Sequence, residues 1–209
     1  AICYNAGMKI QRVLSSLFLG LLILAILPAG KSIAVAQSGQ PVVIRMQLEG
    51  PLTPVWGTYI DRGIAQAETL GAELIVLSLN TPGGSIDLMN TFVQKILASP
   101  VPVAVYVSPQ GAMAASAGTL IVLAGNIAAM SPASTIGAAS PVGSQGEEIA
   151  STEAAKIKEI LKASARSMAE RRGVEAVRLA EQTIESAKAA SAQEALDAGL
   201  VDLIATDVD

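Results

Sequence analysis

Residues 101–118 have the sequence Val-Pro-Val-Ala-Val-Tyr-Val-Ser-Pro-Gln-Gly-Ala-Met-Ala-Ala-Ser-Ala-Gly. The run from Val101 to Val107 is mostly apolar and β-branched, and prolines stand just before and after it, which is typical of a strand buried on both faces. The apolar run from Leu120 to Leu123 follows and predicts a helix. We therefore expect a buried strand, a loop and a helix, with Ser116 where the helix begins.

Ser116 is the candidate nucleophile of this stretch. Small residues surround it, namely Gly111, Ala112, Ala114, Ala115, Ala117 and Gly118. They leave its hydroxyl open to an approaching carbonyl carbon. The amide groups and the positive dipole end of the following helix are expected beside it. The alternative interpretation is a tight packing turn between a strand and a helix, with no chemical role.

Four segments before this stretch alternate between strand and helix patterns. The strand patterns are Val42 to Leu48 and Leu74 to Leu79, and helical spacing of apolar residues marks Tyr59 to Leu70 and Ile86 to Leu97. This alternation predicts right-handed crossovers and a parallel sheet. Loops at the carboxyl ends of parallel strands form the site in such folds, so we expect the Gly83-Gly84 loop to lie near Ser116.

Three further elements are predicted after Ser116. Residues Thr152 to Arg172 have the apolar spacing of a helix. Ser191 and Glu194 form a capping box that begins a second helix, which stops at Gly199. Val201 to Ala205 is predicted to be the last strand. The predicted fold class is therefore α/β.

The composition excludes several kinds of chemistry. The 209 residues contain no histidine and a single cysteine, Cys3, and the net charge is -4. Without histidine, Ser-His-Asp and Cys-His mechanisms are excluded and the commonest metal ligand is missing. Asp61, Asp87 and Asp197 lack metal-ligand spacing, and the basic residues are scattered. We predict no metal, no cofactor and no nucleic-acid partner.

The first 36 residues resemble a secretory signal. Lys9 and Arg12 precede an almost wholly apolar run, Val13 to Leu27, and Ala34-Val35-Ala36 supplies a small-x-small cleavage site. The alternative is an uncleaved membrane anchor. We expect export to the extracytoplasmic side of the membrane and a single folded domain over residues 37–209.

A serine nucleophile without histidine needs another base, and a lysine can serve in its neutral form. After the leader the chain offers Lys95, Lys156, Lys158, Lys162 and Lys188. The Ser-x-x-Lys spacing of penicillin-binding enzymes is absent, and helical phase does not choose among the lysines. An amide of the Gly83-Gly84 loop and the amide of Ala117 can together form an oxyanion hole.

Three motifs occur in a specific order: Asn80-Thr81-Pro82-Gly83-Gly84, then Gly111-Ala112-Met113-Ala114-Ala115-Ser116-Ala117-Gly118-Thr119, then Ser134-Thr135-Ile136-Gly137-Ala138. Together they resemble the N-terminal protease domain of the NfeD family. These are membrane-associated serine proteases of the Clp protease and signal peptide peptidase A type. The resemblance covers about residues 42–205. It implies the ClpP/crotonase fold, a repeated β-β-α superhelix with a mainly parallel sheet.

The resemblance also implies the site residues. The family's Ser-Lys dyad falls on Ser116 and on Lys156, because its lysine lies eleven positions before a segment that matches Ser167-Met168-Ala169-Glu170. Lys158 is the alternative base. The oxyanion amides carry over to Gly84 and Ala117, and Gly83 is expected to contact the substrate.

Known members of the family cut hydrophobic segments of stomatin-like membrane proteins, which implies a similar substrate here. Relatives of the Clp type form oligomers, so a homodimer or a larger homo-oligomer associated with the membrane is expected. Two other functions stay open. One is a non-catalytic scaffold that binds a stomatin-type partner, and the other is a crotonase-type acyl-CoA enzyme, which export disfavours.

Overall fold

The computed structural model describes residues 40–143, 147 and 149–208. The strands are β1 (Val43–Glu49), β2 (Leu74–Asn80), β3 (Val103–Val107), β4 (Met113–Ala115), β5 (Ile127–Met130), β6 (Thr135–Gly137), β7 (Ala189–Ser191) and β8 (Leu203–Ile204). The helices are α1 (Pro54–Thr69), α2 (Ile86–Leu97), α3 (Ala117–Ala124), α4 (Ser151–Ala169), α5 (Val174–Glu185) and α6 (Ala192–Asp197), with a 3-10 turn at Glu170–Arg172 between α4 and α5.

The main sheet has five strands in the order β1-β2-β3-β5-β8, and every neighbouring pair is parallel. The strand β3 lies in the middle and all five of its residues are buried, as its unbroken apolar sequence predicts. The strand β1 lies at an edge, and its alternating burial matches its alternating sequence. The predicted α/β class with a mainly parallel sheet is confirmed.

A second, smaller sheet has the order β4-β6-β7, in which β4 pairs with β6 in parallel and β6 pairs with β7 antiparallel. The sequence does not predict its strands, because three residues are too few to show a strand pattern. A single parallel bridge between Thr81 and Ala114 links this sheet to the end of β2. The second sheet therefore lies at the carboxyl edge of the first.

The helices form the main core against one face of the large sheet. All eight residues of α3 are buried, and α3 contacts both α2 and α4. The predicted helix over 152–172 is α4 together with the 3-10 turn. The helix α5 packs along α4 and was not predicted, although Leu179 and Ile184 lie on its buried face.

The capping box at the start of α6 is confirmed, because the Ser191 hydroxyl accepts from the Glu194 amide and the Glu194 carboxylate accepts from the Ser191 amide. The predicted leader, residues 1–36, lies outside the described residues. Among the helices that the structure does describe, none has the length and apolar character needed to cross a membrane.

Candidate active site

Ser116 stands on a strained turn between β4 and α3. It is the N-cap of α3 and has φ 52° and ψ -121°, a conformation that residues with a side chain rarely adopt. Its amide donates to the Gly137 carbonyl over 2.8 Å, and its carbonyl accepts from the Thr119 amide over 3.0 Å. These two hydrogen bonds maintain the strained backbone conformation, and the Ser116 side chain is half-exposed. The turn thus presents the Ser116 hydroxyl at the carboxyl edge of the sheets, where the sequence predicted it.

Gly83 lies directly against Ser116. Its φ is +110°, and a Cβ atom on it would stand 2.7 Å from the Ser116 Cβ and 3.2 Å from the Oγ. Only glycine fits this position, because both the backbone conformation and the space exclude a side chain. The predicted approach of the Gly83-Gly84 loop to Ser116 is therefore observed.

Two backbone amides beside Ser116 have no acceptor within the described part of the chain. Ala117 is the first residue of α3, where an amide has no partner inside its own helix. The Gly83 amide donates to the Thr81 hydroxyl over 3.0 Å, whereas Gly84 makes no such bond with a described residue. Leu52 lies where a Gly84 side chain would be and supports this loop from behind. Gly84 and Ala117 are thus available as donors, and their role as oxyanion donors stays a prediction.

Two completely buried threonines, Thr81 and Thr119, form hydrogen bonds beneath Ser116, and the sequence predicts no role for either of them. The Thr119 hydroxyl accepts from the Gly137 amide over 3.0 Å, and its single proton faces the carbonyls of Ala114 and Gly137 at 3.0 and 3.1 Å. The Thr81 hydroxyl accepts from the Gly83 amide, and the Thr81 backbone forms hydrogen bonds with Met113 and Ala115 of β4. Both occur inside the quoted motifs, but the sequence does not show which hydroxyls turn inward.

Lys156 lies exposed on α4 and forms no hydrogen bond or ion pair with a described residue. In particular, the structure shows no hydrogen bond between Lys156 Nζ and Ser116 Oγ. The helix that carries Lys156 does pack against α3, the helix that Ser116 begins. The dyad therefore stays a prediction.

The other lysines of α4 are engaged elsewhere. Lys158 donates to the Glu185 carbonyl at the end of α5 over 2.9 Å. Lys162 pairs with Glu159 and with Glu185, and these hydrogen bonds hold the pKa of Lys162 above its ordinary value. A raised pKa disfavours the neutral amine that a base requires, so Lys162 is unsuited to that role.

Acidic side chains do not cluster in the described residues. No group of three or more cysteine, aspartate or glutamate residues that could hold a metal ion occurs among them. The candidate site consists instead of one hydroxyl, two backbone amides and a nearby lysine-bearing helix.

A half-exposed serine on a strained turn, facing a glycine loop at the carboxyl edge of a parallel sheet, defines an α/β domain of the ClpP-like class. Comparison with known structures agrees: ClpP1 from Listeria monocytogenes superposes with a TM-score of 0.63 at 19% identity, covering 79% of this chain and 92% of that one. At this identity the likeness concerns the fold alone.

The chain belongs to the NfeD family, because the family model described as "NfeD1b, N-terminal domain" matches residues 42–205. Among characterised proteins, the membrane-bound protease PH1510 of Pyrococcus horikoshii is 38% identical over 168 residues, which cover 80% of this chain. The matched region is 38% of PH1510, so this chain spans about two fifths of that relative. The Bacillus subtilis membrane protein NfeD1b is 34% identical over 89 residues, which cover 43% of this chain and 20% of that protein.

Two solved structures of a related domain match most of the chain. They are of 1510-N, a membrane-bound stomatin-specific protease. One is a serine-to-alanine mutant, with a TM-score of 0.72 and 34% identity, covering 81% of this chain and 82% of that one. The other is a lysine-to-alanine mutant in complex with a substrate peptide, with a TM-score of 0.73 and 35% identity, covering 80% and 77%.

Proposed function

We propose that this domain is a serine endopeptidase in which Ser116 is the nucleophile and Lys156 is the general base. The observation that carries the proposal is the strained Ser116 turn pressed against Gly83, with the amides of Gly84 and Ala117 beside it. Strain of this kind persists only where the surrounding structure maintains it, and it is concentrated at functional sites. The similarity to 1510-N, which is named as a protease and was solved with a substrate peptide, supports the same reaction.

In the proposed reaction, neutral Lys156 removes the proton of the Ser116 hydroxyl as the oxygen attacks a peptide carbonyl. The developing oxyanion is stabilised by the amides of Gly84 and Ala117. The protonated lysine then gives its proton to the leaving amine, and water hydrolyses the acyl-enzyme. Lys156 lies exposed in the structure, so this step requires its side chain to turn towards Ser116 and to be covered by the bound substrate.

The proposed substrates are apolar segments of a stomatin-like membrane protein. This part of the proposal rests on the relative 1510-N, which is described as stomatin-specific. We further propose that the domain acts on the extracytoplasmic side of the membrane, after cleavage of a signal peptide or on an N-terminal anchor, and as a homodimer or larger homo-oligomer. The missing hydrogen bond between Ser116 and Lys156 favours one competing function, a scaffold that binds such a partner without cutting it.

The test compares wild type with Ser116→Ala, Lys156→Ala and Lys158→Ala on a panel of apolar peptides, with cleavage scored by mass spectrometry. We expect Ser116→Ala and Lys156→Ala to lose activity together, by at least about 10²-fold. Lys158→Ala is the matched control, because it removes a lysine two positions away on the same helix, and it should retain activity while losing some stability.

The control also distinguishes the two candidate bases. Loss of cleavage in Lys158→Ala but not in Lys156→Ala would assign the base to Lys158. A wild-type protein that binds a stomatin-type peptide but cuts nothing would favour the scaffold.

A further inference from the structure

Thr81 connects the main sheet to the strand that leads into Ser116. It follows β2, is completely buried, and forms a parallel bridge with Ala114. Its amide donates to the Met113 carbonyl over 2.7 Å, and its carbonyl accepts from the Ala115 amide over 3.0 Å. The backbone of Thr81 thereby fixes β4 up to the residue immediately before Ser116.

The Thr81 hydroxyl holds the glycine loop on the other side. It accepts the Gly83 amide over 3.0 Å, and the Gly83 carbonyl accepts from the Leu52 amide over 2.9 Å. Both backbone groups of Gly83 are therefore bonded away from the site. The Gly84 amide has no described acceptor, so it is the donor of this loop that a ligand can use.

The Thr81 methyl group sets the position of α3. A Cβ atom on Gly118 would lie 2.7 Å from Thr81 Cγ2, so the methyl occupies the space against the first turn of that helix. The amide of Ala117 belongs to the same turn. One side chain thus contacts both the loop that carries Gly84 and the helix that carries Ala117.

We propose that Thr81 is a positioning residue for the two oxyanion amides. Its hydroxyl commits the Gly83 amide, which leaves Gly84 as the loop donor, and its methyl fixes the separation between this loop and Ala117. Without the hydroxyl, the Gly83 amide would be buried with no acceptor, at a glycine whose backbone turns easily. The donor pair would then lose its geometry, and donors stabilise an oxyanion only where they are placed in advance. This inference rests on the proposed protease function.

Two variants separate the hydroxyl from the shape of the side chain. Thr81→Val keeps the volume and removes the acceptor, whereas Thr81→Ser keeps the acceptor and removes the methyl. We expect Thr81→Val to lower kcat by about 10- to 100-fold with KM changed by less than about twofold, because the donors act in the transition state. Thr81→Ser should lower kcat by only about threefold, because the hydroxyl still holds the Gly83 amide and only the methyl contact with Gly118 is lost. Binding of a peptide boronic acid, which forms a tetrahedral adduct, should weaken in parallel with the loss of kcat/KM.

Thr183→Val is the matched control. Thr183 is also completely buried and its hydroxyl is bonded, to the Ala180 carbonyl within α5. This variant should lose stability but keep kcat per folded molecule. Equal kcat losses in Thr183→Val and Thr81→Val would overturn the proposal, because they would reflect general destabilisation.

Hydrogen exchange of the backbone amides, followed by NMR, tests the geometry without relying on activity. The Gly83 amide should be protected in wild type and in Thr81→Ser, and should exchange at least about tenfold faster in Thr81→Val, because its acceptor is gone. Unchanged Gly83 protection in Thr81→Val, or lost protection with unchanged kcat, rejects the proposed role of Thr81 and leaves the protease proposal standing. Absence of cleavage by wild type rejects the protease proposal and the catalytic meaning of Thr81 with it.

Discussion

At the scale of single residues, the site depends on a contact between two backbones. Ser116 keeps a positive φ because hydrogen bonds from its amide and to its carbonyl maintain the turn. Gly83 also has a positive φ, and no side chain would fit between it and Ser116. The Ser116 conformation is unfavourable in isolation, whereas glycine adopts a positive φ readily. Their contact places the Ser116 hydroxyl against the loop that carries the Gly84 amide, and the Ala117 amide follows Ser116 directly. Acyl transfer requires a nucleophile and amide donors close together.

Gly83→Ala should therefore damage the site more than its backbone strain alone would. The new Cβ would meet the Ser116 Cβ at 2.7 Å, so Ser116 must move. Gly173→Ala is the control, because Gly173 has nearly the same φ, +105° against +110°, but nothing within 4 Å of its Cβ position. Both variants should lose about 1 to 3 kcal/mol of unfolding free energy in denaturant titrations. Only Gly83→Ala should also lose peptide cleavage, and equal retention of cleavage would contradict the contact described here.

Residues at the site differ in how far the sequence reveals them. Ser116 and Gly83 were predictable, because small residues and glycines at the ends of two buried strands indicate a close backbone approach. The roles of Thr81 and Thr119 were not, because a threonine looks the same in sequence whether its hydroxyl faces water or a strand. The pairing of Lys156 with Ser116 came from the family resemblance, and the structure leaves that pairing as a prediction.

At the scale of elements, α4 and α5 are joined by a row of polar contacts along one side. Lys158 donates to the last carbonyl of α5, Lys162 pairs with Glu185, and Arg166 pairs with Glu181. These bonds hold α4 against α5 from Lys158 to Arg166, and Lys156 lies two residues before the first of them. They also explain why Lys156 and Lys158 differ in surroundings although they lie on the same helix.

Glu185→Gln should lower the thermal unfolding midpoint near neutral pH. The hydrogen bond from Lys162 lowers the pKa of Glu185, so its stabilisation is present above the ordinary glutamate pKa and is lost as the pH falls through the lowered value. The pKa of Lys162 is raised, so the same stabilisation is lost at high pH as the pH rises through that value. The difference from wild type should therefore be largest between about pH 5 and pH 9.

The control for this pH profile is Glu175→Gln, which removes an ion pair with Arg178 inside α5. It leaves the contact between the two helices intact and should change the midpoint less. A Glu185→Gln deficit that does not shrink in acid would show that charge is not its cause.

Elements also differed in how predictable they were. The helices α2 and α4 have strong apolar stripes and were predicted to within a few residues. The helix α5 was missed although Leu179 and Ile184 lie on its buried face and its apolar stripe is as clear as that of α2. The short strands of the second sheet have three residues each, too few for an alternating pattern to appear.

At the scale of the whole molecule, polar contacts join the segment just before β8 to the edge of the sheet opposite to Ser116. Asp202, just before β8, accepts from the Ala128 amide over 2.7 Å and pairs with Arg172, whose side chain is only 3% exposed. Arg172 also donates to the Gly125 carbonyl at the end of α3. The end of the chain is thereby tied both to β5 and to the helix that begins at the candidate nucleophile.

Asp202→Ala should destabilise the whole unit by about 1 to 3 kcal/mol, because it leaves the buried Arg172 guanidinium without its carboxylate and the Ala128 amide without its acceptor. The denaturant dependence of unfolding measures this change. Asp197→Ala, an exposed aspartate at the end of α6, is the control and should change the unfolding free energy by less than about 0.5 kcal/mol. Equal stability of the two variants would refute the closing role of Asp202.

The overall architecture was more predictable than this closure. The alternation of helix patterns with apolar strand patterns predicts an α/β fold with a parallel sheet, and the structure has that sheet. The tie between Asp202 and Arg172 was not predictable, because it joins two polar residues far apart in the chain that show no pattern in the sequence.

The most direct test of the central proposal is to trap the acyl-enzyme. Wild type would be mixed with an apolar peptide thioester, quenched in acid at short times, and mapped by peptide mass spectrometry. We predict one acyl group, on Ser116, which forms much more slowly in Lys156→Ala and at a nearly normal rate in Lys158→Ala. No covalent adduct, or an adduct that persists in Ser116→Ala, would contradict the proposal that Ser116 is the nucleophile.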